Sequence, residues 1–73
     1  MSLNYANKFS TYIVKELPNS HLLKVLGFRK GTEFKVQSKQ PINGPIVVQV
    51  GSRSVAIDYG VAKEILVEEV IAN

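Results

Sequence analysis

The sequence contains no cysteine and only one histidine. Without thiols there are no disulfides, no iron–sulfur clusters, no structural thiolate zinc sites and no sulfur nucleophile, so packing alone must hold the fold. No apolar run approaches the roughly 18 residues that a membrane span needs. The opening MSLNYANKF lacks the basic and apolar regions of a secretory leader. A cytosolic protein without membrane insertion is the expectation. A phosphate-cradling loop is missing too: GFRKGT has its glycines in the wrong order for one and leads into an alternating stretch instead of a helix. Serines are present, but nothing in their spacing to His21 suggests a catalytic triad, and the chain is not expected to be an enzyme.

What remains is an ordinary globular composition in a short chain. The 73 residues are 45% hydrophobic and 21% charged, enough for one domain that buries only about 60% of its unfolded surface. The net charge of +3 is unevenly placed. Lys24, Arg29, Lys30, Lys35 and Lys39 fall in a span whose only acid is Glu33, whereas Glu64, Glu68 and Glu69 gather near the end. Such a basic middle suits an acidic protein surface, an anionic membrane or nucleic acid, or it is simply a solvated face.

Along the chain, Phe9 to Leu17 is rich in β-branched and aromatic residues and predicts a first strand. Pro18 ends it, and Asn19 or Ser20 can cap a short helix whose apolar residues Leu22, Leu23, Val25 and Leu26 form a stripe. Gly27 stops that helix, Phe28 folds back as an apolar plug, and Gly31 supplies a turn needing positive φ. From Thr32 to Lys39 strict alternation predicts a second strand with Phe34 and Val36 inward. Gln40 to Pro45, with two prolines around Asn-Gly, is an exposed loop. A hairpin follows, Ile46 to Val50 and Ser54 to Ile57 around Gly51-Ser52-Arg53, then a single-turn connection over Asp58 to Glu64 and a last strand from Ile65 to Val67. Phe9, Phe28 and Phe34 are assigned to the core. Residues 1–8 are set apart as an N-terminal segment, with no weight placed on Met1 to Leu3. The domain is drawn over residues 9–69, with 70–73 as a fraying tail. The fold class is mainly β: about five short strands in a small, partly open barrel with one short helix between the first and second.

Leu23, Leu26, Gly27, Phe28, Gly31, Phe34 and Val36 match, in order and spacing, the pattern Leu-x-x-Leu-Gly-Leu-x-Pro-Gly-x-x-hydrophobic-x-Val. Farther on, Pro41, Pro45, Ile46, Val55, Ala56, Ile57, Ala62, Ile65 and Val67 continue the match. On these residues the chain resembles the FeoA family of ferrous-iron-transport accessory proteins over roughly residues 9 to 68. The resemblance implies an SH3-like β-barrel, a non-catalytic role, and a partner, the FeoB-type membrane permease with its cytosolic GTPase domain, which would hold the protein at the inner face of the membrane. Three positions depart from the pattern. Lys30 stands where proline is usual, His21 and Leu22 where arginines often stand, and Tyr5 to Phe9 lacks the glycine that announces the first strand.

The residues singled out for partner binding are Lys24, Arg29, Lys30 and Asn43, with Gly27 and Gly31 as structural turns. An apolar residue of the helix left exposed beside those cations would mark a docking groove. No cofactor and no built-in metal site is expected. His21 has no second imidazole, Glu68 and Glu69 point to opposite faces of a strand, and any Fe²⁺ association would be weak or indirect. A homo-oligomer is left open. The rival from another class is a nucleic-acid-binding barrel, with Tyr5, Tyr12 and Tyr59 as stacking candidates. A second rival is an interaction module like the SH3-like domain of metal-dependent repressors.

Overall fold

Alternation along the chain builds the sheet. In the computed structural model, which describes residues 1–71, the strands are β1 (Thr11–Glu16), β2 (Glu33–Lys39), β3 (Ile46–Val50), β4 (Arg53–Ile57) and β5 (Leu66–Glu69). They form one antiparallel sheet in the order β4-β3-β2-β1-β5. Every second residue points inward: Tyr12 and Val14, Phe34 and Val36, Ile46 and Val48, Val55 and Ile57, and Val67 are all buried in one core cluster. Register shifts at Val14/Glu16 and Val36/Ser38 mark bulges, which bend and twist strands and curl five short ones around a shared interior. Two short helices, α1 (His21–Val25) and α2 (Tyr59–Ala62), complete the partly open barrel and contribute Leu23 and Ala62 to the core.

The β3–β4 hairpin is tighter than expected. Val50 pairs with Arg53, leaving Gly51-Ser52 as a two-residue turn, and Gly51 at φ +60° occupies the first central position, where a type II′ turn wants glycine. The last strand is shifted as well, starting at Leu66, although Ile65 and Val67 do face inward. Of the tail, residues 72–73 lie outside the described residues.

Two regions differ from the sequence reading. Leu3, which carried no weight there, is fully buried together with Ala6. Leu3 donates its N–H to Ile65 O at 2.8 Å, and the Lys39 ammonium grips Asn4 O and Ala6 O at 3.0 and 2.9 Å. Residues 1–6 thus strap across the barrel and share its core. Phe9, assigned to the core, is 66% exposed, and β1 begins only at Thr11. The reason is a bulge: Phe9 N–H donates to Val36 O while Val36 N–H donates to Ser10 O, so two residues oppose one. The first takes the left-handed conformation, φ +72°, and its ring lies outside with the Lys8 ammonium 4.9 Å from its centroid. Left-handed φ costs a bulky residue roughly 1 to 2 kcal/mol, partly offset by the extra freedom glycine has when unfolded. Phe9→Gly is therefore expected to raise stability by about 0.5 to 1 kcal/mol, a few degrees in Tm, whereas Phe9→Ala, which keeps the strain, should not. Thermal denaturation of the two variants checks this.

Candidate functional site

The segment from Leu17 to Thr32 carries the surface most unlike the rest. Pro18 closes β1, and Ser20 caps α1 by accepting from Leu23 N–H at 3.4 Å. A helix of five residues has room for little more than one inward position. Leu23 takes it and Leu26 packs at the margin, while Leu22 and Val25 stay 64% and 63% exposed. The apolar stripe legible in the sequence is thus divided between core and surface.

Gly27 ends α1 at φ +82°, its N–H donating to Lys24 O at 3.0 Å. Phe28 N–H then donates to Leu23 O at 2.9 Å, and its ring turns into the core 5.0 Å from that of Phe34. The next turn is tied to β1 twice, Gly31 N–H to Val14 O at 2.8 Å and Val14 N–H to Thr32 O at 2.9 Å. Within it, Arg29 N–H donates to Thr32 Oγ1 at 3.0 Å. Gly31 has φ +89°, so both glycines perform the turns assigned to them. Anchored on both sides, the backbone holds Arg29 and Lys30 in place without the proline that would stiffen this turn.

Between α1 and this double bend lies a groove of about 520 Å³. Leu17, Pro18 and Phe28 line its apolar part, and Lys24, Arg29 and Lys30 its basic part. Three of the four residues singled out for partner binding are thus brought together. Lys30 also approaches Glu16 at 3.4 Å, an exposed pair worth at most about 1 kcal/mol and easily exchanged for another carboxylate. Asn43 does not join them. It sits at φ +59° in the β2–β3 connection, beyond the far end of the seven-residue β2 and some 20 Å of strand away from Gly31.

Leu17 and Pro18 were missed as lining residues because each also reads as ordinary strand-end punctuation. Other candidates fall away: Tyr12 is fully buried, its Oη accepting from Asn7 N–H at 2.7 Å, and cannot stack on a base. His21 is exposed at the start of α1, Glu68 lies 3.8 Å from Lys15, and among the described residues no group of three or more His, Asp or Glu is placed to hold a metal ion.

The model of the FeoA domain family matches residues 1–69. Among solved structures, the crystal structure of an iron uptake regulatory protein (FeoA) is 27% identical with a TM-score of 0.84, the match covering 96% of each chain. FeoA of Stenotrophomonas maltophilia complexed with zinc, a prokaryotic SH3-domain protein, is 29% identical with a TM-score of 0.75, over 93% of this chain and 89% of that one. The manganese regulator SloR matches at 14% identity and a TM-score of 0.81, over 94% of this chain and 34% of its own, a likeness of fold alone. A search of curated proteins finds no match.

Proposed function

The chain belongs to the FeoA family, and on that premise we propose that it is a non-catalytic accessory of ferrous iron transport that docks on the cytosolic part of a FeoB-type permease/GTPase through the groove beside α1. Fe²⁺ would then be the cargo of the partner. The observation that carries this reading is the groove, with Leu17, Pro18 and Phe28 on its apolar part and Lys24, Arg29 and Lys30 on its basic part, together with the exposure of Leu22 and Val25 on the same helix. Apolar surface with cations on one flank suits a partner segment with an apolar face and acidic residues beside it. Apolar anchors supply affinity, and peripheral cations supply orientation and association rate.

Reversing Lys24, Arg29 and Lys30 to glutamate together is expected to weaken association with the permease at least tenfold, and Leu22→Ala/Val25→Ala to weaken it comparably. Both should leave the fold intact, because all five side chains stand largely in solvent. Co-purification from detergent extracts and a titration at two salt concentrations measure this. Undiminished binding by both variants would remove the groove as the docking surface. A wild-type chain that ignores the permease but binds RNA or DNA, steeply weakened by salt, would favour the nucleic-acid reading instead.

A further inference from the structure

The sheet order leaves two outer strands, and the structure treats them differently. The edge of β5 is covered. Ser2 bridges to Leu66, and Val67 N–H donates to Met1 O at 2.7 Å. The edge of β4 has no such cover. Val50 pairs with Arg53 across a two-residue turn, so hydrogen-bonded pairs alternate from there through Val48/Val55 and Ile46/Ile57. The N–H and C=O groups of Ser54 and Ala56 therefore point away from β3. Among the described residues, neither enters a backbone hydrogen bond elsewhere, and both residues are exposed. The usual protections of an edge are lacking as well: β4 contains no proline, lysine or bulge. The Arg53 side chain folds back to donate to Leu26 O at 3.2 Å.

We propose that β4 is a pairing edge through which two copies of this chain associate, antiparallel, about a two-fold axis at Val55. A second copy is the occupant because the edge is complementary to itself. Centred on Val55, the register sets Ser54 opposite Ala56 of the other copy on both sides of the axis, so the free donors and acceptors meet in reciprocal pairs. Arg53 falls opposite Ile57, and Ser52 opposite Asp58. No like charges are opposed in this register. Ser54 and Ala56 are small, so the joined sheets meet no bulky side chain on the outer face. Pairing of this kind uses a different element from the α1 groove and does not depend on the iron-transport reading.

The test is amide exchange of the purified full chain from about 10 μM to 1 mM, beside sedimentation equilibrium. Dimerisation through β4 predicts that the Ser54 and Ala56 amides become at least tenfold more protected as concentration rises, while Val55 and Ile57 are protected throughout. Ala56→Pro removes an outward N–H that the hairpin does not use, and is expected to return the chain to monomer without loss of the β3–β4 pairing. A wild type that stays monomeric at 1 mM, or a dimer whose Ser54 and Ala56 amides exchange at the same rate at every concentration, would overturn the proposal.

Discussion

Phe28→Ala is expected to bring the protein close to unfolding at room temperature. The ring is fully buried and lies 5.0 Å from Phe34, which stacks in turn 6.0 Å from Tyr12, so three aromatic rings run in series through the interior. Truncating a buried phenylalanine costs about 3 to 5 kcal/mol, the lost transfer energy plus the cavity left behind. A domain of this length has roughly 4 to 11 kcal/mol in total, so the loss removes about a quarter of the stability at best and all of it at worst. The residue is hard to replace by relaxation. Phe28 is fixed at both ends of its segment by the Leu23 carbonyl and the tied turn at Gly31, and the strands beneath are closed by bulges. Urea denaturation should show the midpoint falling by about a quarter or more with an unchanged slope. Phe28→Leu, which keeps most of the volume, should lose under half as much. A loss below about 1.5 kcal/mol for the alanine variant would mean that the groove wall had collapsed into the space. Because Phe28 also lines the groove, the same variant should weaken docking more than its surface exposure suggests.

How far the fold is legible in the sequence depends on how local its cause is. Strict alternation in β2 and across the β3–β4 hairpin announces itself within a few residues, and so do the two glycine turns, since each depends only on its own backbone. Phe9 looks like core because it is large and aromatic, yet alternation counted back from the buried Tyr12 and Val14 puts it on the other face, with Thr11 and Ile13. Only the pairing with Val36, 27 positions away, shows that an extra residue is accommodated there. The N-terminal strap escaped notice for a similar reason. Leu3 and Ala6 have no periodic neighbours, and the groups that hold the strap, Ile65 O and Lys39 Nζ, lie far along the chain. At the groove, the cations of Lys24, Arg29 and Lys30 were visible but their convergence was not. It arises from the double bend that returns the chain to β1, and the same path puts Asn43 out of reach. The division of the α1 stripe into buried Leu23 and exposed Leu22 and Val25 follows from helix length, which periodicity over seven residues overstates.

Gly27→Ala and Gly31→Ala look alike in sequence and are expected to differ in cost, about 2 kcal/mol against about 1. Both positions lie in the left-handed region, φ +82° and +89°, where a Cβ adds roughly 1 to 2 kcal/mol of strain, less what alanine recovers by restricting the unfolded chain. At Gly31 nothing lies within 4 Å of the added carbon, so strain is the whole effect. At Gly27 the added carbon would collide with the guanidinium of Arg53, which donates to Leu26 O at the end of α1. That cation must swing away, and the helix loses a positive charge and a hydrogen bond where its unpaired carbonyls gather, worth up to about 1 kcal/mol at an exposed site. The two contributions can be separated by a double-mutant cycle. With Arg53 already replaced by alanine there is nothing left to displace, and Gly27→Ala should then cost about as much as Gly31→Ala. If instead the cost at Gly27 is unchanged in the Arg53→Ala background, the extra penalty resides in the backbone, and the arginine is only a neighbour. If the cycle closes as expected, the glycine that stops α1 also makes room for the side chain that ties β4 to the helix carrying Leu22, Lys24 and Val25.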